Sequence, residues 1–296
     1  MQNPNQRYQQ HRPRGSGFNV LRLVPILFFG LYAAYYYFSH RETVPLTGRK
    51  QLVDISPEQE AALGYQAYQE ILANERVLTT GDAPKQVREI ATRLIEAVRK
   101  LDPNADPGFE WEANVIESDQ ANAFALPGGK IAVYTGIFPV AANENGLAAV
   151  MGHEIAHAIA RHGAERMAYQ KLVQIGSMAA GISVGDMSPE ARQAVMGALG
   201  AGAKFGLLLP FSRDHESEAD EMGLYFAAAA CYDPREAPKL WERMAANSGQ
   251  GGGQRPPEFA STHPSNETRI QRLNALMPKA IETYQKYCSD LPAERG

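Results

Sequence analysis

Two histidines four residues apart with an acid beside the first, His153-Glu154-Ile155-Ala156-His157, carry the plainest chemical meaning in the chain. At 3.6 residues per turn, positions i and i+4 share a helix face, so both imidazoles can reach one ion. Glu154 is one residue along and points aside from the ligands, where it can hold a water on the metal. Zinc suits such a pair, because its Lewis acidity brings bound water to a pKa of about 7 in catalytic sites. Leu147, Val150, Ile155 and Ile159 supply an apolar stripe that favours a helix here. The short pattern also arises by chance in many helices, so a third ligand has to be found.

A histidine-rich continuation of that helix fails, because Ala160 and Gly163 stand where a glycine and a third histidine would be required. The acidic run His215-Glu216-Ser217-Glu218-Ala219-Asp220-Glu221 offers a carboxylate instead. Glu216 and Asp220 are four apart on one helix face. With Glu216 on zinc, Asp220 can accept the free N–H of a ligating histidine and fix its tautomer; Glu218 would point elsewhere. The alternative is a solvated charged face. Against it, the run leads into Leu224, Tyr225, Phe226 and four alanines, which predicts a buried helix, and buried carboxylates require partners. His162 reads as a helix-end or supporting group rather than a ligand, and His215 receives no role.

The elements that must position these groups follow from pattern. Ser56-Pro57 opens a helix to about 73, and Val87, Ile90, Leu94 and Val98 form one face of a second over 84–100. Alternation over 109–116 predicts a half-buried strand, and Lys130-Ile131-Ala132-Val133-Tyr134 follows the Pro127-Gly128-Gly129 turn as another. A long helix is expected over 143–171 with Asn143 as its cap, then apolar stretches at 172–184 and 194–209. These read as close-packed helices beside the site or as a hairpin dipping into a membrane surface. A helix over 213–229 and two more, 266–276 and 279–288, complete the chain. The expected class is α+β, mainly helical, with a small sheet.

With 296 residues, 44% of them hydrophobic, one main domain with appendages is expected. The net charge of -4 and the lack of a dense basic block argue against nucleic acid as a partner. Residues 1–19 read as a disordered cytoplasmic tail. Residues 20–38 read as a transmembrane signal-anchor helix rather than a cleaved signal peptide, since no small-residue cleavage site follows. A linker over 39–55 then leads to a metallopeptidase domain over 56–290. Arginines before the span tilt the expectation toward a single-pass inner-membrane protein with an exported, periplasmic catalytic domain. Cys231 and Cys288 could pair and tie down the last helix, or remain two thiols.

Together the long helix, Glu216 to Asp220, Leu46-Thr47-Gly48-Arg49, Asn122 to Gly129, Phe211-Ser212-Arg213, Tyr232-Asp233-Pro234 and Thr262-His263-Pro264 resemble the gluzincin peptidases. That family includes the CAAX prenyl protease and the heat-shock protease HtpX. The nearest likeness is to the periplasmic beta-barrel assembly-enhancing branch, with a mitochondrial inner-membrane relative beside it. The resemblance implies a zincin-like domain with one Zn2+ per chain held by His153, His157 and Glu216. It makes Glu154 the general base and puts Asp220 behind the ligands. His263 matches a late histidine that stabilises the oxyanion or caps the metal, and Arg269 an arginine that supports it. Substrates would be unfolded or misassembled envelope proteins, paired in extended form along an edge at Asn122 and Lys130, Ile131, Ala132, Val133 and Tyr134. Two departures stand out: Cys231 replaces the usual glycine before Tyr-Asp-Pro, and no tetratricopeptide array follows. A catalytically inert zincin acting as a tethered chaperone or assembly factor is the rival reading.

Overall fold

Helices make most of the architecture and a small sheet makes the rest. The computed structural model describes residues 23–185, 187–203, 209–249, 259, 263 and 267–288. The helices are α1 (Leu23–Ser39), α2 (Pro57–Asn74), α3 (Asp82–Leu101), α4 (Phe138–Ala141), α5 (Glu144–Ile159), α6 (His162–Ser183), α7 (Pro189–Ala203), α8 (Leu209–Ala229), α9 (Glu236–Gly249) and α10 (Glu267–Tyr287). The strands are β1 (Arg41–Thr43), β2 (Lys50–Leu52), β3 (Val77–Leu78), β4 (Glu112–Ile116), β5 (Ala123–Leu126) and β6 (Lys130–Tyr134). This is the mainly helical α+β arrangement expected of a zincin-like fold.

Local chemistry explains most of the boundaries. Ser56 caps α2 in a reciprocal box with Gln59, and Pro57 occupies the first turn. Asn143 caps α5 by accepting from the Gly146 amide. The stripe Val87, Ile90, Leu94 and Val98 is buried, as the 3.6-residue period requires. The helix expected over 143–171 is two helices. Arg161 breaks it with a left-handed φ of 55°, a backbone that few non-glycine residues adopt. Its guanidinium is drawn inward to Glu60, Glu42 and the Ile55 carbonyl, and those contacts hold the break. Conversely, the two C-terminal helices expected on either side of Pro278 are one, α10. Of the two apolar stretches, residues up to 183 extend α6 and α7 takes up 189–203.

The sheet order is β3-β4-β6-β5, with β4 parallel and β5 antiparallel to β6. This corrects the expectation of a substrate edge at Lys130–Tyr134. β6 is hydrogen-bonded on both sides, and β5 forms the rim. A short run of four mixed residues gave no strand signal for β5. Asn122 starts it, its carbonyl accepting the Tyr134 amide.

The expected membrane span over 20–38 lies partly outside the described residues. Residues 1–22 lie outside the described residues. The described part, α1, has 17 residues, and its Tyr36 is 2% exposed in a small cluster with Leu52 and Ala168. Among the described residues no helix is long and apolar enough to cross a membrane. Cys231 and Cys288 form a disulfide with 5.6 Å between Cα atoms, joining the end of α8 to the end of α10. Cys231 itself has a left-handed φ of 64°, the backbone at a helix end that usually selects glycine.

Two glycines bring α5 onto α8. A Cβ on Gly223 would lie 2.7 Å from the His153 amide nitrogen, and one on Gly152 would lie 3.0 Å from the Gly223 carbonyl oxygen. Only backbone stands in the way, so a methyl group cannot be accommodated by turning a side chain. Gly223→Ala is therefore expected to lower stability by about 1–3 kcal/mol and to weaken metal binding as the helices separate. Urea unfolding with a zinc titration checks both; unchanged midpoint and affinity would exclude the close crossing.

Candidate metal centre

Helix α5 presents His153 and His157 toward α8, and α8 presents Glu216 back. The His153 and His157 Nε2 atoms are 3.1 Å apart. Glu216 reaches them at 3.3 Å and 3.4 Å through its two oxygens. His263 adds Nδ1 at 3.2 Å from His153 Nε2 and 2.9 Å from Glu216. All four donors lie within 4.8 Å of one another.

Lone pairs crowded in this way repel unless something positive sits among them. Bonds of about 2.0 Å from a tetrahedral ion to its donors put those donors ~3.3 Å apart, the spacing seen here. Three imidazole nitrogens and a carboxylate are also zinc's preferred chemistry. The residues present thus fit a single zinc ion.

The surroundings of the donors are fully built. His153 turns its Nδ1 to Asp220 at 3.0 Å. Arg269 grips both Asp220 oxygens, at 2.6 and 2.5 Å, and also reaches Glu216 at 3.1 Å. The guanidinium lies 3.6 Å from the Trp241 ring centre. Arg269 was expected to support an oxyanion; buried and forked onto Asp220, it instead holds the carboxylates behind His153. His157 turns its Nδ1 to His162 Nδ1 at 2.8 Å, and His162 Nε2 meets Glu218 at 3.0 Å. His215, given no role from sequence, meets Glu165 at 2.9 Å. Three acids of the run are buried, which disposes of the solvated-face alternative: Glu216, Glu218 and Asp220 are each 7% exposed. His162, read as a helix-end or supporting group, does meet His157, whereas Glu218 and Glu165 were missed because their partners are remote in sequence. The buried-helix signal at Leu224–Phe226 already required a partner for Glu218, while His162 and Glu165 stand on α6, outside that signal.

Electrostatics follow from this crowding. Burial alone would depress His153, but Asp220 and Glu216 outweigh it and raise its pKa to about 9. Burial drives His157 down to about 3, and the neighbouring His153 charge adds to that. Glu216 is held well below the ordinary carboxylate range: burial opposes this, and the three histidines overcome it. Glu154 goes the other way. Its carboxyl is buried and pushed upward by desolvation, with the backbone of Ala125 in β5 and His263 partly offsetting that. Its Oε1 takes no hydrogen bond among the described residues and stands 3.4 Å from His263 Nε2.

Comparison with known proteins agrees with this geometry. Residues 84–277 match the sequence profile of Peptidase family M48. The chain is 39% identical over 248 residues to the mitochondrial metalloendopeptidase OMA1 of Schizosaccharomyces pombe, covering 83% of this chain and 69% of that protein. It is 33% identical to the OMA1 of Saccharomyces cerevisiae, covering 91% and 78%. Identity to the beta-barrel assembly-enhancing protease of Escherichia coli is 26%, over 83% of this chain and 50% of that one. The chain belongs to peptidase family M48 and is a zinc metalloendopeptidase. The expected periplasmic placement is overturned. The relatives with the higher identities are named as mitochondrial enzymes, and no described helix is long and apolar enough to span. A slight arginine bias around residues 7–22 was too weak to decide a compartment.

The Asp220–Arg269 pair has a pH signature in the metal-free protein. Burial raises the Asp220 pKa, but Arg269 and His153 lower it further, to a net value below the ordinary 3.8. A depressed carboxylate contributes stability that is complete above its unfolded pKa and fades as pH falls through the folded one. Asp220→Asn should cost about 3 kcal/mol at pH 7, and progressively less from pH 4 downward. Urea unfolding at pH 7 and pH 3 measures the difference; an equal cost at both would contradict the pair.

Proposed function

We propose that residues 56–290 form the catalytic domain, holding one Zn2+ through His153, His157 and Glu216, and that they cleave peptide bonds within unfolded or unassembled proteins. The observation that carries this reading is the convergence of four donors at tetrahedral spacing beside the buried Oε1 of Glu154, which takes no hydrogen bond among the described residues. Zinc bound there supplies Lewis acidity toward a water and a peptide carbonyl.

The chain's own residues account for the remaining steps. Glu154 takes the proton of the attacking water and passes it to the departing amide nitrogen. Its upward-shifted carboxyl is better matched to that exchange near neutral pH than an ordinary one. Asp220 and Arg269 keep His153 in the tautomer that turns Nε2 inward. A catalytic zinc keeps one position open, whereas four protein donors close it. His263 is the donor placed to withdraw, since it comes from neither α5 nor α8; once displaced, its Nε2 can face the oxyanion. An extended substrate would pair with the rim strand β5, whose backbone at Ala125 faces Glu154. Such pairing requires an unfolded backbone, which favours damaged or unassembled chains over folded ones. The names of the mitochondrial and beta-barrel assembly relatives are compatible with that role in protein quality control.

Glu154→Gln separates this reading from an inert zincin. The substitution should keep one zinc per chain by elemental analysis and lower casein cleavage by roughly 10²–10⁴-fold. Retained turnover would remove Glu154 from the reaction, and a wild-type chain that binds zinc without cleaving would favour the chaperone reading.

A further inference from the structure

His162 is 3% exposed beside the donor cluster, yet it has no task in the reaction above. Its Nδ1 is 2.8 Å from Nδ1 of His157, and its Nε2 is 3.0 Å from Glu218. The tautomers follow from one choice. With His157 Nε2 turned to the metal, its Nδ1 carries the hydrogen and donates to His162 Nδ1. His162 must then carry its own hydrogen on Nε2, which donates to Glu218.

Glu218 is fixed in turn by a segment far away in the chain. Arg49 Nε donates to its Oε2 at 2.7 Å, and the Thr47 hydroxyl to its Oε1 at 2.5 Å. The other two guanidinium nitrogens of Arg49 fork onto Glu165 at 3.0 and 2.7 Å, and Glu165 meets His215. The His215 ring stacks on His162, 4.0 Å between centres and 10° from parallel. His162 is thus held at both nitrogens and on one face. The His153 side has the same logic in a shorter form: imidazole, carboxylate, arginine. On the His157 side the carboxylate is one ring farther off, and His162 spans the gap.

We propose that His162, clamped by Glu218, Thr47 and Arg49, is the positioning residue for the ligand His157, and that the turn at residues 46–49 is thereby a working part of the metal centre. That turn lies outside residues 84–277, the part matched by the family profile. The proposal rests on the assignment of His157 as a zinc ligand. Partners of this kind typically change metal affinity about 10–100-fold.

The experiment uses the full chain. Zinc affinity is measured by chelator competition, and the absorption spectrum of the Co2+ form reports ligand geometry. His162→Leu should bind zinc about 10–100-fold more weakly and shift the Co2+ bands. His162→Asn retains an acceptor near the Nδ1 position and should recover most of the affinity. Arg49→Met should weaken binding in the same direction, by at least about threefold. Leu94→Ala, a core truncation away from the donors, should lower the Tm and leave zinc affinity within about twofold of wild type. Wild-type affinity in both His162→Leu and Arg49→Met would overturn the proposal, as would equal weakening in Leu94→Ala. His157→Ala separates the two levels. Should it bind zinc like wild type, the ligand assignment fails and the proposal with it. Should it lose zinc while His162→Leu does not, the proposal alone falls.

Discussion

Three imidazole nitrogens and a carboxylate sit at mutual distances near 3.3 Å in a largely buried site, and such an assembly is tolerable only around a cation. Most of the surrounding structure is arranged to make that crowding possible. Helices α5 and α8 approach until backbone meets backbone at Gly152 and Gly223. Side chains of ordinary size at the crossing would hold the ligands of one helix away from those of the other. Packing and coordination are therefore the same constraint seen from two sides.

Burying so many charged groups would be prohibitive without partners, since each isolated ion loses its hydration. Every buried acid of α8 near the centre is answered. Asp220 has Arg269, Glu218 has Arg49 and His162, and Glu216 has Arg269 and the three histidines. The two arginines come from opposite ends of the chain, one from the turn after β1 and one from α10. The polar shell thus draws the ends of the chain onto the central helix pair, and the Cys231–Cys288 disulfide fastens α10 from its far end. This is also why Arg269 is a poor candidate for direct contact with substrate: both edges of its guanidinium are already engaged.

Some of this was legible from residues alone. The i, i+4 histidines, the intervening acid and the burial of the Glu216–Asp220 run followed from helix periodicity and from the rule that apolar helices do not carry bare carboxylates inside. The caps at Ser56 and Asn143 were equally plain, because capping is decided within four residues. The long helix over 143–171 was misjudged because the break at Arg161 is imposed by Glu60 and Glu42, residues distant along the chain. The rim strand was misplaced for a related reason. Period-2 alternation marks a strand but says nothing about which strand lies outermost, and β5 is too short to show a period.

What the sequence determined by itself was the chemistry: which side chains could bind a divalent cation, which acid could move a proton, and that the elements carrying them are helical. These depend on spacings of a few residues and survive in any context. The tertiary structure decided which groups meet. It brought His263 and Glu216 to the α5 histidines, gave Asp220 to Arg269, and set His162 between His157 and Glu218. Apart from His157–His162, five positions apart, those contacts join residues from about 50 to over 100 positions apart, and no local pattern encodes them. Only the packing of the helices selects each partner.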